Sequence, residues 1–173
     1  MRVIVRSGVF LAIVVSMALP ARAQITTVTV RVDGLSCPFC AYSLEKNIKE
    51  IEGTRDPVIN IEEGLVTLTP VGDAPIDYDG LRIAVMAAGF TPREIGVTGT
   101  GRIETTKERV TTLFDANGQA LFTLVENEFL AGLKIDAALL VTFGGTVTPL
   151  KSDDGTLRTL TLLSAAPVEG DID

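Results

Sequence analysis

The segment Val32-Asp33-Gly34-Leu35-Ser36-Cys37-Pro38-Phe39-Cys40 lies where one periodic pattern gives way to another, and this change decides the fold. Before it, apolar and polar residues alternate from Thr26 to Val32, which is the period of a half-buried strand. After it, apolar residues recur at helical spacing from Ala41 to Ile51, and Gly53 provides a stop. The sequence therefore predicts that Cys37 and Cys40 lie at a loop-to-helix junction.

The residues that follow extend this strand and helix into a complete domain pattern. A hairpin is predicted from strands at 58–61 and 65–69, joined by the turn Glu62-Glu63-Gly64. A second helix is predicted over 78–88, with Asp77 as its N-cap, and a last strand over 92–97. This β-α-β-β-α-β order is that of the ferredoxin-like sandwich, which we assign to residues 24–98.

The second half of the chain has a different pattern, in which the helical period nearly vanishes. Gly96, Gly99 and Gly101, with Thr between them, predict a domain boundary near residues 98–101. The strands predicted beyond it are 102–106, 109–115, 119–126, 138–149 and 156–164, with a short helix over 126–133. Five strands with a helix after the third resemble the small barrel of the OB-fold, here over residues 99–166. We therefore predict an α+β chain: a ferredoxin-like βαββαβ sandwich followed by an OB-fold-like barrel and an acidic, fraying tail, 167–173.

The first 23 residues are typical of a secretory signal. Arg2 and Arg6 precede an apolar run from Val9 to Leu19, and Ala21-Arg22-Ala23 supplies an Ala-x-Ala cleavage site. The run is shorter than the roughly 20 residues that span a bilayer. We expect cleavage after Ala23, a periplasmic location and no membrane insertion of the mature protein. An uncleaved signal anchor is the alternative.

The charge balance argues against nucleic acid as a partner. The 173 residues include 15 Lys and Arg against 22 Asp and Glu, a net charge of −7. Removal of residues 1–23 takes away three Arg and no acid, which leaves 12 basic residues against 22 acidic ones and a net charge of −10. A surface this acidic repels phosphates, and no cluster of Lys and Arg reverses the field locally.

Cys37 and Cys40 are the two cysteines of the chain, and their spacing limits their role. A disulfide across two intervening residues closes too short a loop to stabilise the fold much, so the pair is expected to be redox-active or metal-binding. A helix N-terminus also stabilises a thiolate, which is the form that binds metal.

The missing residue types restrict which metal the pair could hold. The chain has no His, and Met86 is the one Met that remains after removal of the signal, so a tetrahedral Zn(II) site of Cys and His cannot form within one molecule. Two thiolates favour soft ions that accept low coordination, Cu(I) or Hg(II). Zn(II) or Cd(II) would bind less tightly, with carboxylate or water completing the shell. The oligomeric state is left open between a monomer and a dimer bridged by one metal ion.

Several stretches resemble one known family. They are the opening segment together with Leu44-Glu45-Lys46, Ile51-Glu52-Gly53 and Ala87-Ala88-Gly89-Phe90. Over residues 26 to about 97 the chain resembles the heavy-metal-associated domain of copper chaperones, copper-ATPase amino-terminal modules and periplasmic mercuric-ion-binding proteins. The resemblance implies that Cys37 and Cys40 hold the ion and exchange it with a partner protein by ligand exchange. The partner would be a metal donor or acceptor, such as a membrane transporter.

The resemblance also suggests roles for three neighbouring residues. Leu35 stands where the family usually has Met, a side chain that packs inward. Ser36 and Phe90 are expected around the thiols without binding the ion. Phe90 would shield the loop, and its alternative role is that of an ordinary core residue.

Pro38 and Phe39 depart from the family pattern and keep a second function open. Cys-Pro-Phe-Cys also resembles a disulfide oxidoreductase sequence, because those enzymes place a Cys-x-x-Cys at a helix N-terminus. A thioredoxin-like unit would continue into a longer βαβ pattern, whereas here the helix leads directly into a hairpin. We therefore predict a non-enzymatic metal carrier, with a periplasmic thiol-disulfide oxidoreductase as the alternative. In a third interpretation the barrel is an interaction module and the functional part of the chain.

The remaining candidates have simpler explanations. Carboxylates in turns are expected to be solvated, and these are Asp33, Glu62, Glu63, Asp153 and Asp154. Four aromatic residues of the barrel are expected in its core, namely Phe114, Phe122, Phe129 and Phe143. No Ser/His/Asp arrangement is possible without His.

Overall fold

The computed structural model describes residues 24–72, 74–106, 110–135, 138–151 and 157–168. Within these residues the elements are β1 (Gln24–Asp33), α1 (Pro38–Ile48), β2 (Thr54–Asn60), β3 (Leu65–Pro70), α2 (Tyr78–Ala87), β4 (Thr91–Thr105), β5 (Thr111–Phe114), β6 (Ala120–Leu124), α3 (Glu128–Gly132), β7 (Ala138–Lys151) and β8 (Arg158–Pro167). The predicted signal at 1–23 and the acids Asp153 and Asp154 lie outside the described residues. Across the part of the chain that is described, no helix has the length and apolar character needed to cross a membrane.

The first six elements confirm the predicted β-α-β-β-α-β order. Their four strands form one antiparallel sheet in the order β2-β3-β1-β4, with Val30 opposite Val66 on one side and Ile95 on the other. The alternation predicted for β1 is confirmed, since Val28, Val30 and Val32 are all buried. They share a core with the inner faces of the two helices, whose buried residues include Leu44, Ile48, Leu81 and Val85.

Both helices begin where the sequence predicts. Pro38 occupies the first turn of α1, where its missing N–H costs no hydrogen bond. The carboxylate of Asp77 accepts a 2.9 Å hydrogen bond from the N–H of Gly80 and so caps α2. The end of α1 differs from the prediction, because the helix stops at Ile48 with Lys49 as its C-cap, three residues before Ile51.

The second half closes into the predicted five-stranded barrel. Its strands pair in the order β4-β5-β6-β8-β7, and β7 pairs with β4 to complete the ring. The β6–β8 pair is parallel and the others are antiparallel. Helix α3 connects the third and fourth strands, as predicted. Ile103, Leu113, Phe122, Phe143 and Leu160 fill the interior.

The predicted break at residues 98–101 is wrong at the level of secondary structure. The strands predicted at 92–97 and 102–106 are one continuous strand, β4, and residues 95–100 pair with β1 along one edge and with β7 along the other. Gly99 marks close packing, because a Cβ at this position would lie 2.3 Å from the backbone oxygen of Gln24. The sandwich and the barrel therefore share one sheet. A division into two domains at residue 98 stays a prediction.

Two smaller expectations also need correction. Phe122 and Phe143 are buried as expected, but Phe129 is 50% exposed because α3 turns Leu130 inward instead, and Phe114 is only partly buried. The tail does not fray from residue 167, since Pro167 belongs to β8 and the N–H of Val168 bonds to the carbonyl of Leu140 at 3.0 Å. The rest of the tail, 169–173, lies outside the described residues.

Candidate metal centre

The loop that carries the thiols is fixed at both of its ends. Gly34 directly follows β1 with a φ of +88°, a conformation that glycine adopts without strain. Leu35 is 6% exposed and belongs to the core cluster, so it anchors the loop from below, in keeping with the inward packing expected of it. The next residues then lead directly into α1.

Cys37 is the N-cap of α1. Its backbone is extended, with φ −138° and ψ 142°, and its Sγ accepts a hydrogen bond from the N–H of Cys40 at 3.3 Å. Its carbonyl accepts the N–H of Ala41 at 3.1 Å. Ser, Thr, Asp or Asn usually occupy this position, because their side-chain oxygens bond to the free N–H groups of the first turn. Here a sulfur takes that role.

The two thiols lie within one turn of each other and differ in acidity. Both are partly exposed and neither is in a disulfide. The Cys40 thiol donates toward the Cys37 sulfur, and this hydrogen bond, helped by the Cys40 N–H, lowers the pKa of Cys37. The same interaction, with a contribution from burial, raises the pKa of Cys40. Cys37 is therefore the more acidic thiol of the pair.

Ser36 and Phe90, the two residues expected around the thiols, have different surroundings in the structure. Ser36 is exposed and makes no hydrogen bond to any described residue. Phe90 is partly buried against the core, and its Cδ1 lies 3.7 Å from the point where a Cβ on Gly34 would be. The Phe90 ring therefore covers the base of the loop as well as packing against the core.

Sequence reasoning missed the exposure of two aromatic side chains beside the thiols. Phe39 is 89% exposed and Tyr42 is 71% exposed. They lie three residues apart on α1, which places them on the same side of the helix, away from the buried Leu44 and Ile48. Neither residue belongs to the series of inward-facing apolar positions that begins at Ala41, and this feature of the sequence could have predicted their exposure.

The donors available for a metal are few. Within the described ranges, no group of three or more His, Cys, Asp or Glu side chains is placed to hold an ion. Asp33, expected to be a solvated carboxylate, is instead in a 2.5 Å ion pair with Arg93, although both side chains remain about half exposed. Among the described residues the candidate donors of the loop are the two sulfurs, and a pair of thiolates would suit soft ions of low coordination number.

Comparison with known proteins gives one clear sequence relative. No family model matches the chain. It is 38% identical over 71 residues to a probable cadmium-transporting ATPase of Listeria monocytogenes. The match covers 37% of this chain and 10% of the ATPase, so the chain spans about a tenth of that relative.

Two solved structures show a partial likeness. The CopZ metallochaperone is 20% identical, with a TM-score of 0.36, over 39% of this chain and 100% of its own. A structure titled "Crosstalk between Cu(I) and Zn(II) homeostasis" is 25% identical, with a TM-score of 0.35, over 39% of this chain and 94% of its own.

The fold and the loop define a class: an α+β domain that presents a pair of thiols at the start of its first helix. The element order, the position of Cys37 and Cys40 and the 71-residue match together assign the N-terminal half more closely. This half of the chain is a heavy-metal-associated-like domain.

Proposed function

We propose that the protein is a non-enzymatic carrier that binds a soft heavy-metal ion through Cys37 and Cys40 and passes it to a partner. The observation that carries this proposal is the pair itself: two free, partly exposed thiols in one helical turn, one of them held by the Cys40 N–H. A thiol at a helix N-cap ionises readily, which prepares the ligand before the ion arrives.

The donor set supports Cu(I) or Hg(II) as cargo, because either ion is satisfied by two thiolates. Zn(II) and Cd(II) prefer a fuller shell and would need water or a carboxylate. The sequence relative is named for cadmium transport, which keeps Cd(II) among the ions to be tested.

In this proposal the ion is transferred by ligand exchange, and the different acidities of the two thiols set the order of the steps. The Cys37 thiolate binds the incoming ion first, and Cys40 then releases its proton to solvent and closes a two-sulfur site. A thiolate of the partner adds to the ion, and one cysteine at a time leaves and takes up a proton. No bond to the metal is broken before another has formed, so the ion never enters free solution.

The partner must approach over the exposed side of α1. Phe39 lies between Cys37 and Cys40 in the sequence, Tyr42 follows three residues later, and both side chains are exposed. An acceptor that reaches the sulfurs therefore contacts these rings, and their burial would favour the complex by about 25 cal/mol for each Å² of apolar surface removed from water. We infer that the acceptor is another metal-handling protein, such as a membrane transporter.

We propose further that the chain is exported to the periplasm and cleaved after Ala23. The N-terminal half is of the ferredoxin-like type and the five-stranded ring is of the OB-fold type. The carrier is a monomer or a dimer bridged by one metal ion.

The proposal is tested by titrating the reduced mature protein with Hg(II), Cd(II) and Cu(I) and following thiolate-to-metal absorption in the ultraviolet. We expect saturation at one ion per chain for a monomer, or at one ion per two chains for a dimer bridged by the metal. The double variant Cys37→Ser with Cys40→Ser should show no such band, and Ser36→Ala, which leaves both sulfurs in place, should titrate like the unaltered protein. Unchanged uptake by the double variant would refute the proposal.

A thiol-disulfide oxidoreductase is the second candidate, and the lowered pKa of Cys37 favours it. A low-pKa thiol at a helix N-terminus is also the nucleophile of such enzymes. Reduction of insulin by the protein, with turnover lost in Cys37→Ser, would support this candidate. An absence of turnover, together with metal uptake, would support the metal carrier and exclude the oxidoreductase.

A further inference from the structure

The residue that caps α1 is not the one that cap preferences favour. Ser36 and Cys37 are adjacent, and serine is among the residues most often found at a helix N-cap, whereas cysteine is not. The structure nevertheless caps the helix with Cys37, while Ser36 is exposed and makes no hydrogen bond to any described residue. A local constraint therefore excludes a helix that begins one residue earlier, with Ser36 as its cap and Cys37 as its first helical residue.

Pro38 supplies this constraint. The ring of a proline clashes with the backbone of the preceding residue when that residue is helical, which disfavours the helical region for Cys37. Cys37 accordingly has an extended backbone, with φ −138° and ψ 142°. The φ of a proline is fixed at about −65°, which suits the first helical position that Pro38 occupies. Pro38 thus selects Cys37 as the cap in place of Ser36.

The choice of cap decides where the Cys37 sulfur lies. As the N-cap, Cys37 turns its Sγ over the end of the helix, where it accepts the Cys40 N–H at 3.3 Å. In a helix capped by Ser36, the Cys40 N–H would bond instead to the carbonyl four residues earlier, that of Ser36. The Cys37 side chain would then project from the side of the helix and lose this hydrogen bond.

We propose that Pro38 is a positioning residue of the metal centre, which holds the Cys37 sulfur over the end of α1, beside Cys40, before the ion arrives. This inference rests on the proposed metal-binding function, and it gives a role to a residue that departs from the family pattern. Without the proline, the molecules would divide between the two caps. Only the fraction capped by Cys37 would be ready to bind the ion, and the apparent affinity would fall by that fraction.

The test compares Cu(I) affinities at one fixed pH, measured on the reduced mature protein by competition with a coloured Cu(I) chelator. Pro38→Ala should bind Cu(I) about tenfold more weakly, because Ser36 then competes as the stronger cap. Pro38 is exposed, so this substitution removes no core packing. Adding Ser36→Ala to Pro38→Ala removes the competing cap and should restore most of the affinity. Damage to folding or packing would not be repaired by the loss of a serine hydroxyl.

A second measurement reports the cap without any metal. The backbone amide of Cys40 is followed by NMR in the reduced, metal-free protein. Its resonance should shift in Pro38→Ala, as the N–H moves from sulfur to the Ser36 carbonyl, and should return when Ser36→Ala is added. Pro75→Ala is the matched control, because Pro75 is an exposed proline shortly before α2, and it should change neither the Cys40 amide nor the Cu(I) affinity.

Two results would overturn this role of Pro38: an unchanged Cu(I) affinity in Pro38→Ala, or a loss of affinity that Ser36→Ala does not restore. The carrier proposal would survive either result, because the unaltered protein would still bind the ion. If the unaltered protein bound no Cu(I), the carrier proposal would fail for this ion and the positioning role of Pro38 would fail with it. The two failures are therefore distinguishable.

Discussion

The N–H of Cys40 donates to the Sγ of Cys37 over 3.3 Å, so one cysteine of the pair caps the helix that carries the other. This relationship makes the thiols unequal although they are only three residues apart. Hydrogen bonding from Cys40 lowers the pKa of Cys37, and the same interaction, together with burial, raises the pKa of Cys40.

The unequal thiols predict an order of chemical modification. The lowered pKa of Cys37 gives it a larger thiolate fraction than an ordinary cysteine at any pH below the usual thiol range, and the raised pKa of Cys40 gives it a smaller one. A short pulse of iodoacetamide near neutral pH, followed by peptide mass spectrometry, should therefore label Cys37 first. The preference should shrink as the pH rises and both thiols ionise.

Cys40→Ala provides the matched variant for that experiment. It removes the thiol donor and leaves the backbone N–H in place, so Cys37 should label more slowly than in the unaltered protein. Faster labelling of Cys40 than of Cys37 in the unaltered protein would contradict the assigned order.

Leu35 is predicted to be the structural anchor of the thiol loop. Leu35→Ala removes a side chain that is 6% exposed and should lower the free energy of unfolding by about 2 to 5 kcal/mol, as for other buried leucines. Leu163→Ala is the control, because Leu163 is 60% exposed, and surface changes usually stay within about 0.5 kcal/mol. Urea unfolding measures the free energy of unfolding of both variants. An equal loss in the two would show that Leu35 is not packed as described.

Gly99 is predicted to be a packing glycine of β4. A Cβ there would lie 2.3 Å from the oxygen of Gln24 and 2.8 Å from the Cα of Ile25, so Gly99→Ala should destabilise the protein by about 1 to 3 kcal/mol, as overpacking does. Gly132→Ala, in α3, meets nothing within 4 Å and should be neutral or stabilising by up to about 1 kcal/mol. Thermal unfolding compares the two, and a harmless Gly99→Ala would contradict the close approach of β1 and β4.

The shared strand predicts how the whole chain unfolds. Because residues 95–100 of β4 pair with both β1 and β7, the sandwich and the barrel should unfold in a single cooperative transition. Calorimetry of the mature protein should show one peak, and a fragment of residues 24–98, which loses β7, should unfold at a lower temperature. Two separate peaks would support independent domains instead, if the fragment also unfolded at the temperature of one of those peaks.

The sequence predicted most of the elements because their patterns are local. The alternation around Val30, the helical series through Leu44 and the Asp77 cap each depend on a few neighbouring residues, and all three are confirmed. The order of five strands with a helix after the third also predicted the barrel.

The continuity of β4 could not be predicted in the same way. Gly96, Gly99 and Gly101 are consistent with either a flexible linker or a strand against which other segments of the same chain pack closely. The difference lies in contacts with Gln24, Thr29 and Leu113, which are distant in sequence. Likewise, the exposure of Phe39 depends on which side of α1 meets the sheet, and the pairing of Asp33 with Arg93 depends on the β1–β4 register.

Native mass spectrometry of the reduced mature protein with Cu(I) or Hg(II) tests the central claim most directly. We predict one ion per chain for a monomer, or one ion per two chains for a bridged dimer. The mass should rise by that of the metal less the protons that balance its charge, one for Cu(I) and two for Hg(II). The double Cys→Ser variant should remain free of metal under the same conditions. An ion retained by that variant, or no ion bound by the unaltered protein, would contradict the two-thiolate site.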